Sequence, residues 1–215
     1  MTIHISIRLV KVLYPTRVTP NQISWAGLFA GILSAMLFYH DFILLGAVCF
    51  EVYYILDAVD GQLARARGVS SQGGAFLDEW GNFIVPPMVL FGLGARNEAI
   101  PPWVAFLAAF SVLSVSIIGI LKDRFIQIPS PVIPSDPPVI PSSQSEQGIS
   151  LSKKIYSMFY RTCTMPVMMN LVTLVTILTL CGVTFPLFTI LISYYALVGT
   201  AVWFTKGWHT IRTLS

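Results

Sequence analysis

Residues 57–82 read DAVDGQLARARGVSSQGGAFLDEWGN. Asp57 and Asp60, with Gly61, Ala64 and Arg65 behind them, end an apolar run that opens near Phe42. Eight residues separate Arg65 from Gly74, and Asp78 and Asn82 follow at four-residue steps. A carboxylate at the edge of hydrocarbon costs about 2.5 to 3.5 kcal/mol on insertion scales. Three of them beside a glycine and an arginine require a compensating cation or a polar cavity. The stretch therefore reads as a site held on two helices at a membrane edge.

At about 100° per residue, Asp57, Asp60, Gly61 and Ala64 fall in one helical stripe. Gly74, Asp78 and Asn82 form a second. Two helices facing each other through these stripes aim three carboxylates and one amide at a single point. Oxygen-only ligands suit Mg²⁺, Mn²⁺ or Ca²⁺, not zinc. Gly61 and Ala64 leave space beside the carboxylates for a flat or bulky ligand, and Arg65 can pair with a phosphate oxygen. Each part has a plainer reading. Gly61 with Ala64 could serve helix packing, as Gly27 with Gly31 does, and Arg65 could be an orientation anchor. The full set at these spacings favours a nucleoside diphosphate site.

Composition agrees with a membrane setting. Hydrophobic residues make up 55% of the 215 and charged residues 11%, against roughly 25% charged in a soluble domain. With a mean hydropathy of +0.74 the chain is no ordinary water-soluble globule. A net charge of +3 on so few charges does not suggest nucleic acid. Cys49, Cys163 and Cys181 show neither disulfide pairing nor metal-ligand spacing and read as small buried apolar residues. No cleavable signal is evident, because Arg8 and Lys11 lie inside the first apolar stretch rather than ahead of it.

The expected fold class is all-α: a single polytopic membrane domain over 1–215, with six transmembrane helices of roughly 20 residues. The spans are Pro20 to Tyr39, Phe42 into the Asp57–Arg65 stretch, Gly73 to Gly94, Pro101 to Leu121, Met165 to Val183, and Pro186 to Phe204. Residues 1–18 hold an interfacial amphipathic helix, with Ile5, Leu9, Val12 and Leu13 on one face and Lys11 opposite. Spans one to four fill 20–121, a loop fills 122–164, and spans five and six fill 165–207. Thr19-Pro20-Asn21 is a clean helix start, and Pro86-Pro87 should kink the third span. Within the loop, Pro-Val-Ile-Pro-Ser occurs at 131–135 and again at 138–142, which reads as an extended linker.

Six spans put both termini, the 57–78 turn and the 122–164 loop on one side. That side carries twelve of the thirteen Lys and Arg residues, leaving Arg96 opposite. The positive-inside rule places the termini and the carboxylate site in the cytoplasm.

The pattern of Asp57, Asp60, Gly61, Ala64, Arg65, Gly74 and Asp78 resembles the signature of the CDP-alcohol phosphotransferase family. That signature reads D-x2-D-G-x2-A-R-x8-G-x3-D-x3-D, and the family's first span also typically opens on a Thr-Pro-Asn motif. The resemblance implies six transmembrane helices after an interfacial one. It implies transfer of a substituted phosphate from a CDP-alcohol, often CDP-diacylglycerol, to an acceptor alcohol with release of CMP. Asp57, Asp60 and Asp78 would hold a pair of divalent ions, Mg²⁺ or Mn²⁺. Gly61, Ala64 and Arg65 would cradle the cytidine diphosphate, and Gly74 would let the second and third spans approach. Lys122 and Arg124 resemble a phosphate-binding position, although interface snorkelling explains them equally well. A homodimer is also the family's expectation.

One position departs from the signature. Asn82 stands where the family has its fourth aspartate, the supposed general base. An amide can still offer oxygen to a metal, but it cannot accept a proton at neutral pH. Glu79 and Glu51 are the alternative bases, and Glu51 is expected to face the cavity or Arg65. Two other functions compete: a relative that binds a CDP-alcohol or metal without turnover, and a transporter. The transporter predicts acids spread along a pathway and inverted repeats, and the sequence has neither.

Overall fold

The computed structural model describes residues 2–126, 165–183 and 186–214, and all of its regular structure is helical. The repeated Pro-Val-Ile-Pro-Ser segment lies outside the described residues. The chain begins with α1 (Thr2–Leu13), α2 (Pro20–Tyr39), α3 (Ile43–Arg67), α4 (Gln72–Ala95) and α5 (Pro102–Ile126). After the undescribed segment come α6 (Met165–Leu180), α7 (Leu187–Tyr194), a π-helical turn (Tyr195–Gly199) and α8 (Thr200–Leu214).

Local chemistry sets these boundaries. The Thr19 side chain accepts from the Gln22 N–H at 3.3 Å, and Gln22 Oε1 accepts from the Thr19 N–H at 3.0 Å. This reciprocal capping box, with Pro20 in the first turn, starts α2. Ser71 Oγ caps α4 by accepting from the Gly74 N–H at 3.1 Å. Gly68 ends α3 at φ 66°, a left-handed conformation that costs glycine nothing. α4 continues through Pro86 and Pro87, the place where its prolines are expected to kink it.

Helices α2, α3 and α4 pack as a group around Phe38, Phe50, Tyr53, Val85, Val89 and Leu90, with α5 and α7 adding Ala108, Val112 and Ile192. Small residues allow the close approach that replaces hydrophobic drive between helices in lipid. A Cβ on Gly31 would meet Val85 Cγ2 at 2.5 Å, and one on Gly92 would meet the Ala35 carbonyl oxygen at 2.5 Å. The packing role read for Gly27 and Gly31 agrees with this. Outward faces stay apolar: Phe29 is 70% exposed, Trp103 66% and Leu197 73%.

Among the described residues, two helical stretches are long and apolar enough by length and composition to cross a bilayer, Pro20–Tyr39 and Leu187–Trp208. Shorter apolar stretches occupy Pro102–Ile118 and Asn170–Leu180. At 25 and 24 residues α3 and α4 are long enough, but acidic residues within them keep composition alone from marking them as spans.

At the end of the bundle remote from residues 57–82, the turns are tied together. Arg96 pairs with Asp41, which takes a left-handed φ of 72°, and its guanidinium lies 5.7 Å from the Phe188 ring centroid. Beside it Asn97 Nδ2 donates to Thr189 Oγ1 at 2.8 Å.

Three expectations change. The face of α1 that packs on α3 is Leu9, Val10 and Leu13 over Val59 and Leu63, while Ile5 and Val12 are exposed. Contact with α3 decides that face, and α1's own periodicity cannot report it. Cys181 is exposed and Cys49 half-buried rather than core, because one ends α6 and the other sits on a flank of α3. Glu51 faces neither Arg65 nor the carboxylates: its Oε1 accepts from Thr173 Oγ1 of α6 at 2.7 Å.

Arg67 was counted above only as a charge. Its guanidinium donates to the carbonyls of Leu13, Tyr14, Thr16 and Val18 at 2.5–3.0 Å, pinning the α1–α2 turn to the end of α3. Arg67→Ala is expected to cost about 2 kcal/mol and to lower the detergent-solubilised unfolding temperature by several degrees. Arg67→Lys should recover little, since one ammonium cannot span four carbonyls. An unchanged unfolding temperature in both variants would refute the clamp.

Candidate active site

The site forms where the last turns of α3, the first turns of α4 and the start of α2 meet. A cavity of about 420 Å³ lies there. Asp57, Asp60, Gly61, Ala64 and Arg65 line it from α3, and Gly74 and Asp78 from α4. Pro20, Asn21 and Ser24 line it from α2, and residues 69–71 close the turn. Both carboxylate stripes therefore face one space.

The three acids differ in setting. Asp60 is buried, 5% exposed. Its Oδ2 accepts from Ser24 Oγ and its Oδ1 from the Gly61 N–H. Asp57 is half-buried and Asp78 exposed, and their carboxyl groups lie close enough to interact directly across the α3–α4 interface. Among the described residues, no three acidic, histidine or cysteine side chains converge tightly enough to form a metal cluster as placed. Both Asp60 oxygens are engaged, by Ser24 and by the Gly61 N–H. The donor chemistry nevertheless fits a hard divalent cation: carboxylates from three positions on two facing helices line the cavity, and no sulfur or imidazole does.

The small residues act partly as expected. A Cβ on Gly61 would meet only the Arg65 guanidinium, at 3.4 Å. Gly61 thus keeps cavity space open, and Arg65 lies over it. Gly74 differs. A Cβ there would meet Asn21 Oδ1 and Ser71 Oγ, each at 3.3 Å, so the helix that Gly74 admits is α2 and not α3.

Asn82 stands apart. It is absent from the cavity lining. Its Nδ2 donates to the Asp78 carbonyl at 3.1 Å, and its Oδ1 accepts from the Tyr53 hydroxyl at 3.4 Å. The convergence of three carboxylates and one amide on a single point is thus corrected: the amide turns back onto its own helix and onto Tyr53. Glu79 and Glu51, the alternative bases, do not line the cavity either. Lys122 and Arg124 belong to the last turns of α5, and their side chains lie outside the described residues.

Sequence reasoning missed Ser24, Gln62 and Tyr53. Tyr53 precedes Asp57 by four residues and so continues its stripe, a signal that was legible. Ser24 follows Pro20 by four, but nothing in α2 alone announces that its hydroxyl reaches a carboxylate on α3.

The sequence profile of the CDP-alcohol phosphatidyltransferase family matches residues 17–137, more than half of the chain. The chain belongs to that family. It is 36% identical over 86 residues to archaetidylinositol phosphate synthase of Pyrococcus horikoshii, covering 40% of this chain and 46% of that protein. It is 33% identical over 118 residues to the bifunctional IPC transferase and DIPP synthase of Thermococcus kodakarensis, covering 52% of this chain and 26% of that one. The matched region spans less than half of either curated relative. In fold, this family member resembles phosphatidylinositol phosphate synthase of Mycobacterium tuberculosis, solved with CDP-DAG bound. The TM-score is 0.69 at 18% identity, over 97% of this chain and 94% of that one. The apo form of the same synthase gives 0.66.

Proposed function

We propose that this chain is a membrane transferase that moves a substituted phosphate, a phosphatidyl group, from a CDP-alcohol such as CDP-diacylglycerol to an acceptor hydroxyl in phospholipid biosynthesis. One observation carries the reading. Every signature residue from Asp57 to Asp78 lines the same cavity, in a chain whose family is established by its sequence.

In this reading Asp57, Asp60 and Asp78 hold a pair of Mg²⁺ or Mn²⁺ ions, with Asn82 a weak additional ligand at most. Bound divalent ions supply charge neutralisation of the pyrophosphate and of the departing CMP. The remaining work belongs to the chain. Arg65 pairs with a phosphate oxygen, Gly61 and Ala64 admit the cytidine, and Gly74 seats Asn21 beside it. Ser24 holds Asp60 by its carboxylate. The acceptor oxygen forms a bond to phosphorus as the bond to the CMP oxygen breaks, and Asp78, the most exposed carboxylate, takes the hydroxyl proton. Positioning the two substrates in one cavity supplies much of the remaining rate.

Six spans, with the site and both termini cytoplasmic, complete the proposal. The distribution of Lys and Arg supports it, as do Trp25, Phe76 and Trp80. These rings pack on one another at 6.3–6.5 Å and are exposed on α2 and α4, where an interfacial aromatic belt belongs.

The test is CMP release from CDP-diacylglycerol by purified membranes, with Mn²⁺ and a panel of alcohols. Chelation with EDTA is expected to stop release and added Mn²⁺ to restore it. No release by wild type or Asn82→Asp with any acceptor would defeat the transferase reading. The second reading, binding without turnover, draws on the Asn82 amide being committed to Tyr53 and the Asp78 carbonyl. It predicts Mn²⁺-dependent CDP binding without CMP.

A further inference from the structure

The N-terminal helix is fastened to the cavity at two points. Gln62 lines the cavity, and its Nε2 donates to Ser6 Oγ of α1 at 3.0 Å. Ser6 is fully buried on the α3-facing side of α1. Arg67 holds the carbonyls of the turn that follows α1. That turn leads directly into Pro20 and Asn21, which line the opposite wall. A shift of α1 on α3 therefore pulls on one wall through Gln62 and on the other through the turn.

The outward side of α1 has different chemistry. Ile5, Arg8 and Val12, spaced i, i+3, i+7, form one exposed stripe. Lys11 flanks it, and Arg17 extends the positive charge into the turn; both are exposed. Among the described residues none of these three cations forms an ion pair. Residues 1–40 contain no aspartate or glutamate, and Asp41 sits at the remote end of the bundle with Arg96. The surface thus offers hydrocarbon and positive charge together, which complements an anionic lipid headgroup layer over acyl chains.

We infer that α1 docks on anionic lipid and that the docked helix sets the cavity's shape through Gln62 and Arg67, making function at the site depend on membrane surface charge. The inference rests on the transferase reading for its activity readout, and a binding readout keeps the two separable. Each Lys or Arg strengthens attraction to an anionic surface about fivefold, so three together contribute on the order of 100-fold.

The experiment reconstitutes the full chain in vesicles of phosphatidylcholine, alone or with phosphatidylglycerol. Three quantities are read: hydrogen exchange over residues 2–18, Mn²⁺-dependent CDP affinity, and initial CMP release. In wild type, phosphatidylglycerol should slow exchange over 2–18 and raise CDP affinity and CMP release severalfold. Arg8→Gln/Lys11→Gln/Arg17→Gln should match wild type in phosphatidylcholine and lose the response to phosphatidylglycerol. Gln62→Leu should keep the slowed exchange while its CDP affinity and turnover stop following surface charge. If CMP release is absent throughout but exchange and CDP affinity respond as described, the coupling stands and the transferase reading falls. If exchange and CDP affinity ignore phosphatidylglycerol in wild type, or the triple variant responds like wild type, the coupling is overturned.

Discussion

Asp57→Ala is expected to lower Mn²⁺-dependent CMP release by about three orders of magnitude or more. The carboxylate stands between Asp60 on its own helix and Asp78 across the interface. On the proposed reading, removing it would take one ligand from a pair of divalent ions, which would stabilise developing charge by several kcal/mol, and about 4 kcal/mol is a thousandfold in rate. Asp57→Asn tests charge against shape. It keeps the size and one oxygen, and it should lose nearly as much activity because a neutral amide neither binds a hard cation comparably nor offsets its charge. Both variants should elute as wild type from gel filtration in detergent, since Asp57 is half-buried, caps neither α3 nor α4 and lies outside the apolar core. Activity within tenfold of wild type in either variant would show that the chemistry does not pass through this carboxylate.

The second large effect runs the other way. Asn82→Asp is expected to raise the maximal rate of CMP release by roughly 100-fold, the low end of what a general base contributes, with little change in the half-saturating CDP-diacylglycerol concentration. The wild-type amide donates to the Asp78 carbonyl. A carboxylate has no proton to offer there, so two acceptors face each other and the side chain is driven off its own helix. The Tyr53 hydroxyl remains available as a donor and limits how far it swings. That reorientation is why the lower end of the range is expected. An unaltered rate, with wild type active, would assign proton acceptance to Asp78 alone.

What could be read from the chain alone follows from what periodicity reports. The spacing from Asp57 to Asp78 gives angles around single helices, and both stripes do line one cavity. Thr19-Pro20 marks a helix start by local hydrogen bonding and φ preference, so α2 begins where expected. Partners across helices were not legible. Glu51 meets Thr173 from 122 positions away, Gly74 admits Asn21 rather than α3, and α1 packs Val10 on α3 beside Leu9 and Leu13. Each outcome depends on which helix lies opposite, and no residue within the helix itself encodes that. Asn82 shows the limit within a stripe: its angle suits the cavity, but its side chain finds two nearer partners.

If the chain is the transferase proposed above, the tied turns at Arg96, Asp41 and Phe188 bear on where its product lipid goes. Beyond Asp57 toward that end, Tyr53, Phe50, Phe38 and Leu90 are almost wholly buried, so packed side chains close the cavity on that side. On the proposed transferase reading, donor and acceptor enter and product departs at the end of the bundle that holds residues 57–82. A phospholipid made there would start life in the leaflet at that end, and populating the opposite leaflet would fall to a separate flip across the bilayer.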